Sequence, residues 1–171
     1  APTSGANANK VLIPSGHTLD ASSGSVNASG GLTTPSGHVI QVVTGTKSSS
    51  LQTNSTSLVD TGLSVTITPQ FNTSKIFISV SNLGISNNTQ YVIHKLLRGS
   101  TVISTDAAYN NNSYWMPVNF AMSILDSPAT ISATTYKTQI RLSNASGDLR
   151  YNYFGDGTGT NATITAMEIK Q

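Results

Sequence analysis

From Val39 onward, apolar and polar residues alternate one by one. Leu63, Val65 and Ile67 are interleaved with Ser64, Thr66 and Thr68. Ile76, Ile78 and Val80 follow after a break at Pro69-Gln70-Phe71-Asn72. Val118, Phe120, Met122 and Ile124 alternate with Asn119, Ala121 and Ser123, and Tyr136, Thr138, Ile140 and Leu142 with Lys137, Gln139, Arg141 and Ser143. A period of two places the apolar set on one face of a strand and the polar set on the other. Thr163 to Ile169 reads as a last strand, and Tyr91 to Thr105 as a hairpin reversing at Arg98-Gly99. The region thus holds about eight strands separated by Asn-, Gly- or Pro-containing turns, with no helical period. That pattern predicts an all-β antiparallel β-sandwich of the jelly-roll kind over 39–171.

Residues 1–38 follow another rule. Leu12, Leu19, Val26, Thr33 and Ile40 recur every seven residues, each followed by a small residue and a Ser-Gly or similar turn. Pro14, Pro35 and the repeated glycines exclude a coiled coil of that period. A short extended segment plus a turn, repeated, leaves about one apolar side chain per unit to bury. One chain cannot make a core from that, but three side by side can. The segment is therefore expected to be a repetitive β stalk or linker, with Leu12, Leu19, Val26 and Ile40 as the core of a homotrimer. His17 and His38 fall at equivalent places in Pro-Ser-Gly-His. A ring of imidazoles on a trimer axis could take a metal, but a turn role accounts for them and no metal is expected.

Composition narrows the function. Charged residues make up 9% of the chain, against the ~25% usual for soluble domains. Ser (25), Thr (23) and Asn (15) carry the polarity instead. The nine basic residues are scattered, so no cluster suits a phosphate backbone and nucleic acid is not an expected partner. No apolar run reaches the ~20 residues of a membrane-spanning helix, so no membrane insertion is expected. With no cysteine there is no disulfide and no thiolate chemistry. The start at Ala1-Pro2-Thr3 fits removal of an initiator Met or the C-terminal part of a longer protein.

Catalytic spacing is missing as well. No GxSxG, HExxH, Walker or dinucleotide motif occurs. Most acidic residues stand at expected turns, and His94 is expected on a strand face toward solvent or a subunit contact. The chain is read as no enzyme, with no cofactor. Two stretches do invite a binding role, Tyr109-Asn110-Asn111-Asn112-Ser113-Tyr114-Trp115 and Tyr151-Asn152-Tyr153-Phe154-Gly155-Asp156. Rings cover apolar patches while amides and hydroxyls meet a polar surface. Tyr109, Asn111, Tyr114, Trp115, Tyr151, Tyr153 and Asp156 are the receptor-contact candidates.

Several runs in order also resemble the C-terminal β-domain of virion fibre proteins of tailed bacteriophages, marine ones in particular. They are Pro35-Ser36-Gly37-His38-Val39-Ile40-Gln41-Val42-Val43, Val59 to Pro69, Ser74-Lys75-Ile76, Leu97-Arg98-Gly99-Ser100-Thr101-Val102-Ile103, Leu125-Asp126-Ser127-Pro128, Ala133-Thr134-Thr135-Tyr136 and Thr165 to Gln171. The resemblance implies a homotrimeric structural fibre or adhesin on the virion surface. Its tip would attach to a host glycan or protein, and its N-terminal end would join other virion proteins. The alternatives are a capsid decoration, head-fibre or collar protein, a monomeric carbohydrate-binding module of a secreted protein, and a depolymerase fragment.

Overall fold

The computed structural model describes residues 35–153 and 160–171, together with Ser15. The stalk positions Leu12, Leu19 and Val26 lie outside the described residues, as does Asp156. The compact unit Thr34–Gln171 is built of strands: β1 (Val39–Lys47), β2 (Leu51–Thr53), β3 (Val59–Ile67), β4 (Lys75–Ser86), β5 (Gln90–Arg98), β6 (Thr101–Asn110), β7 (Met116–Asp126), β8 (Thr134–Leu142), β9 (Leu149–Tyr151) and β10 (Ala162–Ile169).

They form two antiparallel sheets. Sheet A runs β1-β10-β4-β7, with the short β9 and β2 continuing the rows of β10 and β1 beside the far end of β4. Sheet B runs β3-β8-β5-β6. Eight principal strands in these two orders are a jelly roll, as the alternation predicted. The first and last principal strands are neighbours, so the chain folds back along its whole length. The Arg98-Gly99 reversal is present too: β5 ends at Arg98, Gly99 sits at φ 57° and β6 starts at Thr101. Glycine enters that left-handed region without the steric penalty a Cβ carries.

The core lies between the sheets. Leu63, Ile67, Ile76, Ile78, Val80, Leu96, Phe120, Ile140, Leu142 and Ile164 are all buried, and they occupy the inward positions of the predicted alternations. Each such side chain contributes about 1.5–3 kcal/mol on leaving water. At Gly45 the outer strand β1 comes so close to β3 that an added Cβ would lie 2.0 Å from the Ser64 carbonyl oxygen. Only glycine permits that approach.

Two expectations are corrected by this arrangement. Ile40 is not a stalk residue. It lies inside β1, half-buried, at a register shift in the pairing of β1 with β10. The backbone pairing even extends upstream, with Gly37 N–H donating to the Lys170 carbonyl at 2.7 Å and Lys170 N–H to the His38 carbonyl at 3.0 Å. His94 is not at a solvent face. It shares the inward face of β5 with Val92 and Leu96 and is fully buried.

Candidate surface sites and the buried polar end

The outward residues of sheet A stand in registered rows across four strands. Val42, Met167, Phe77 and Leu125 make the first, an apolar row. Its ends are open, with Val42 55% and Leu125 49% exposed. Thr44, Thr165, Ser79 and Ser123 make the second, and Thr46, Thr163, Ser81 and Ala121 the third. The Thr44 and Thr165 hydroxyls are 3.2 Å apart. None of these twelve side chains carries a charge. Sheet B is different: its outward rows include Lys95, Gln139 and Asp60, and Lys137 with Ser64. Gln139 and Lys137 both hydrogen-bond to Asp60 and hold its carboxyl below the usual range.

Further along sheet A stands an aromatic cluster. Ile85 is in register with Pro117 on one side and Arg150 on the other. The Arg150 guanidinium lies 4.5 Å from the Trp115 ring centroid and 5.0 Å from that of Tyr153. Cation–π contact with two rings holds all three side chains in place. The preceding loop is fixed from below by the buried Asn110. Its amide donates to the Ser86 carbonyl at 2.6 Å, and its side-chain oxygen accepts from Asn112 N–H at 2.9 Å. Asn112 in turn accepts from Tyr114 N–H at 3.2 Å. An Asn-rich run after a strand thus becomes a stapled turn, because the short amide mimics a backbone turn.

The receptor-contact candidates therefore part company. Trp115 and Tyr153 come together through Arg150, a residue the sequence reading did not single out. Asn111 and Tyr114 lie exposed on the same loop as Trp115. Tyr109 is exposed on sheet B, its ring 4.6 Å from that of Tyr91. Tyr151 is corrected: it is fully buried and points into the core, so it cannot touch a receptor.

Tyr151 belongs to a buried polar end of the sandwich instead. The His94 ring lies 4.7 Å from Phe120 and 5.8 Å from Tyr151. Neither imidazole nitrogen has a hydrogen-bond partner among the described residues, and burial pulls the imidazole down to about 4. The Asn82 amide is equally without a partner on its nitrogen and its oxygen. Burial raises the Tyr151 hydroxyl, an effect the Thr138 and Thr61 hydroxyls oppose.

At the opposite end both buried carboxylates are bonded. Asp126 accepts from Arg98 through both oxygens at 2.8 Å and from the buried Tyr136 hydroxyl at 2.8 Å, tying β7 of sheet A to β5 and β8 of sheet B. Burial, and next the Asp126 hydrogen bond, push Tyr136 well above the usual phenol range. Glu168 is buried, which would raise its carboxyl. Gln41, Ser74 and the backbone N–H groups of Gln70 and Phe71 outweigh that and hold it low. Asp126 and Glu168 are thus structural carboxylates. Among the described residues no three His, Cys, Asp or Glu side chains gather closely enough to hold a metal ion.

No protein-family model matches the sequence, and no curated protein does. Among solved structures, the chain is similar to one described as the structure of infectious bursal disease virus Gx strain. The identity is 13% and the TM-score 0.37, over 77% of this chain and 42% of that one. A second is described as the T13 IBDV viral particle, at 14% identity and TM-score 0.37, over 85% of this chain and 41% of that one. The chain thus spans about two fifths of the length of the solved chains it matches. Neither is a bacteriophage tail fibre. The expectation of a tailed-phage tail fibre is corrected on that finding and is not carried forward. Similarity this low carries nothing about function, and the jelly-roll assignment rests on the strand order itself.

Proposed function

We propose that this chain is a non-enzymatic structural component of a virion. In this reading it is a decoration protein whose jelly roll docks on other virion proteins through the outer face of sheet A. The observation that carries the reading is the registered apolar row Val42–Met167–Phe77–Leu125, continued on one side by two uncharged rows, with Ile169 and Lys75 in the row on its other side. A chain with sixteen Lys, Arg, Asp and Glu residues, nine basic and seven acidic, keeps these three rows free of them. An exposed apolar row that runs on into uncharged polar rows has the low charge density found at the core of protein interfaces.

The test is reconstitution on virions of the virus that encodes the chain. The protein should co-purify with the particles, and recombinant protein should rebind to particles stripped of it. Leu125→Asp should abolish rebinding while the melting temperature holds, because Leu125 is half-exposed on the edge strand. Absence of the chain from purified particles would sink the proposal.

The N-terminal repeat extends the reading to assembly. Its apolar column is buried by three copies side by side, which makes the protein a trimer. Light scattering during gel filtration should then give three times the 17.8 kDa chain mass. Replacing Leu12, Leu19 and Val26 by Ser should shift that mass toward the monomer with the jelly roll still folded. A monomeric wild-type chain would remove the trimer from the proposal and leave the docking face intact.

A further inference from the structure

The second row of sheet A is made of two strands rather than one. β10 pairs with β4 as far as Ser81, and β9 takes over only at Gly84. Asn82 and Leu83 face the break. Beside it Thr160 is pinned to Asn152, its N–H donating to the carbonyl at 3.5 Å and its hydroxyl to the side-chain oxygen at 2.7 Å. A groove of about 610 Å³ opens there. Ser81 and Leu83 of β4, Pro117 and Asn119 of β7, and Thr160 and Asn161 before β10 line it. The volume lies within the ~300–1,000 Å³ of small-ligand sites.

We propose that this groove binds a neutral oligosaccharide. Three features select that chemistry. Among the described residues none that lines the groove is charged, so a phosphate, sulfate or carboxylate would find no compensation from them for its lost hydration. The polar lining consists of amides and hydroxyls, which donate and accept at once, as sugar hydroxyls require of their partners. Leu83 and Pro117 give an apolar surface for the C–H face of a pyranose ring. Trp115 and the Arg150–Tyr153 pair stand one row beyond Leu83 and Asn119 and extend the surface for a longer glycan. The groove shares Ser81 and Ala121 with the third row of sheet A but lies away from the apolar row of Val42 and Leu125, so the Leu125 variant separates this inference from the docking face.

The test uses the full chain, fluorescently labelled, on an array of neutral hexose and N-acetylhexosamine oligosaccharides beside sialylated, sulfated and uronic-acid glycans. The strongest neutral ligand is then titrated by calorimetry. Binding should be confined to neutral glycans. Asn119→Ala with Asn161→Ala should weaken it by about tenfold or more, two exposed side chains whose loss leaves the melting temperature unchanged. Leu83→Trp, which fills the groove, should abolish it, and Leu125→Asp should leave it untouched. Three results would overturn the proposal: no neutral glycan bound, binding that survives both groove variants, or a preference for acidic glycans that is lost with Arg150→Ala.

Discussion

The two ends of this sandwich follow opposite rules for polar groups. At the end where β4 begins, Asp126 joins Arg98 and Tyr136 across the two sheets, and Glu168 is held by Gln41, Ser74 and two backbone N–H groups. At the end where β4 finishes, His94 and Asn82 are buried with no partner at any of their four side-chain polar atoms among the described residues. A pairing costs little when the strands are continuous, because neighbouring backbones bring the partners into register. Asn82 lies beside the break between β10 and β9, where one neighbour is missing from the row, and His94 packs on Phe120, the register partner of Asn82. A sandwich that satisfies its carboxylates so completely at one end shows that the fold permits full pairing. The unpaired end is therefore where stability is given up.

The comparison can be broken most directly at the bonded end. Asp126→Ala would leave the Arg98 guanidinium and the buried Tyr136 hydroxyl without their acceptor. Removing one partner from a largely buried pair is strongly destabilising, and Arg98 is partly open to solvent, so about 3–4 kcal/mol is expected. Urea unfolding at pH 7 measures it. A loss under about 1 kcal/mol would mean that the carboxylate does not tie the sheets together.

A smaller effect separates the ends by pH. The folded-state value of His94 lies near 4, below the ordinary 6.5, so the unfolded chain binds the proton more tightly. Stability must then fall as pH drops through that window, by about 1.4 kcal/mol per unit at most. Glu168 and Asp60 are held below their ordinary carboxylate values of 4.5 and 3.8, so the stability they add is lost mainly as pH falls below those values. The interval from pH 6.5 to 4.5 therefore isolates His94, at roughly 2 kcal/mol. Asp106 is in register with His94 on β6 and is the one carboxylate placed to moderate the loss. Tyr151 stays neutral throughout, and Phe120 and Ile140 carry no charge. His94→Leu should flatten the curve across this interval. A wild-type curve already flat there would show that the imidazole finds a partner.

Much of this was legible from alternation alone. The eight long strands, the Arg98-Gly99 hairpin and the inward positions from Leu63 to Leu142 follow from period two, because one face of each strand had to be apolar. His94 was legible by the same logic and was misplaced: Val92 and Leu96 share its parity, and both are core residues. Polar type argued for solvent while position argued for burial, and position won. Tyr151 carried no such signal, since β9 is only three residues long and no alternation can be read from so short a strand. The groove was hidden for a related reason. Ser81, Asn119 and Asn161 look like any outward polar residue, and what brings them around a groove is a break in pairing between strands far apart in sequence. The registered apolar row was equally invisible, since it depends on which strands become neighbours.

Asn82 gives the finest test of the difference between the ends. In a core whose polar groups were all structural, replacing it would cost stability, as Asp126 does. Here the amide is desolvated with no bond in return, so Asn82→Leu exchanges an unpaired polar group for an apolar one of similar shape. That should leave stability unchanged or raise it by about 1 kcal/mol, the reverse of the usual core substitution. The same change should leave neutral-glycan binding unaltered, because Asn82 is on the inward face of β4 with Phe120 and the groove opens on the outward face. A loss of more than about 1 kcal/mol in the unliganded protein would place Asn82 with Asp126, and the two ends would then follow one rule.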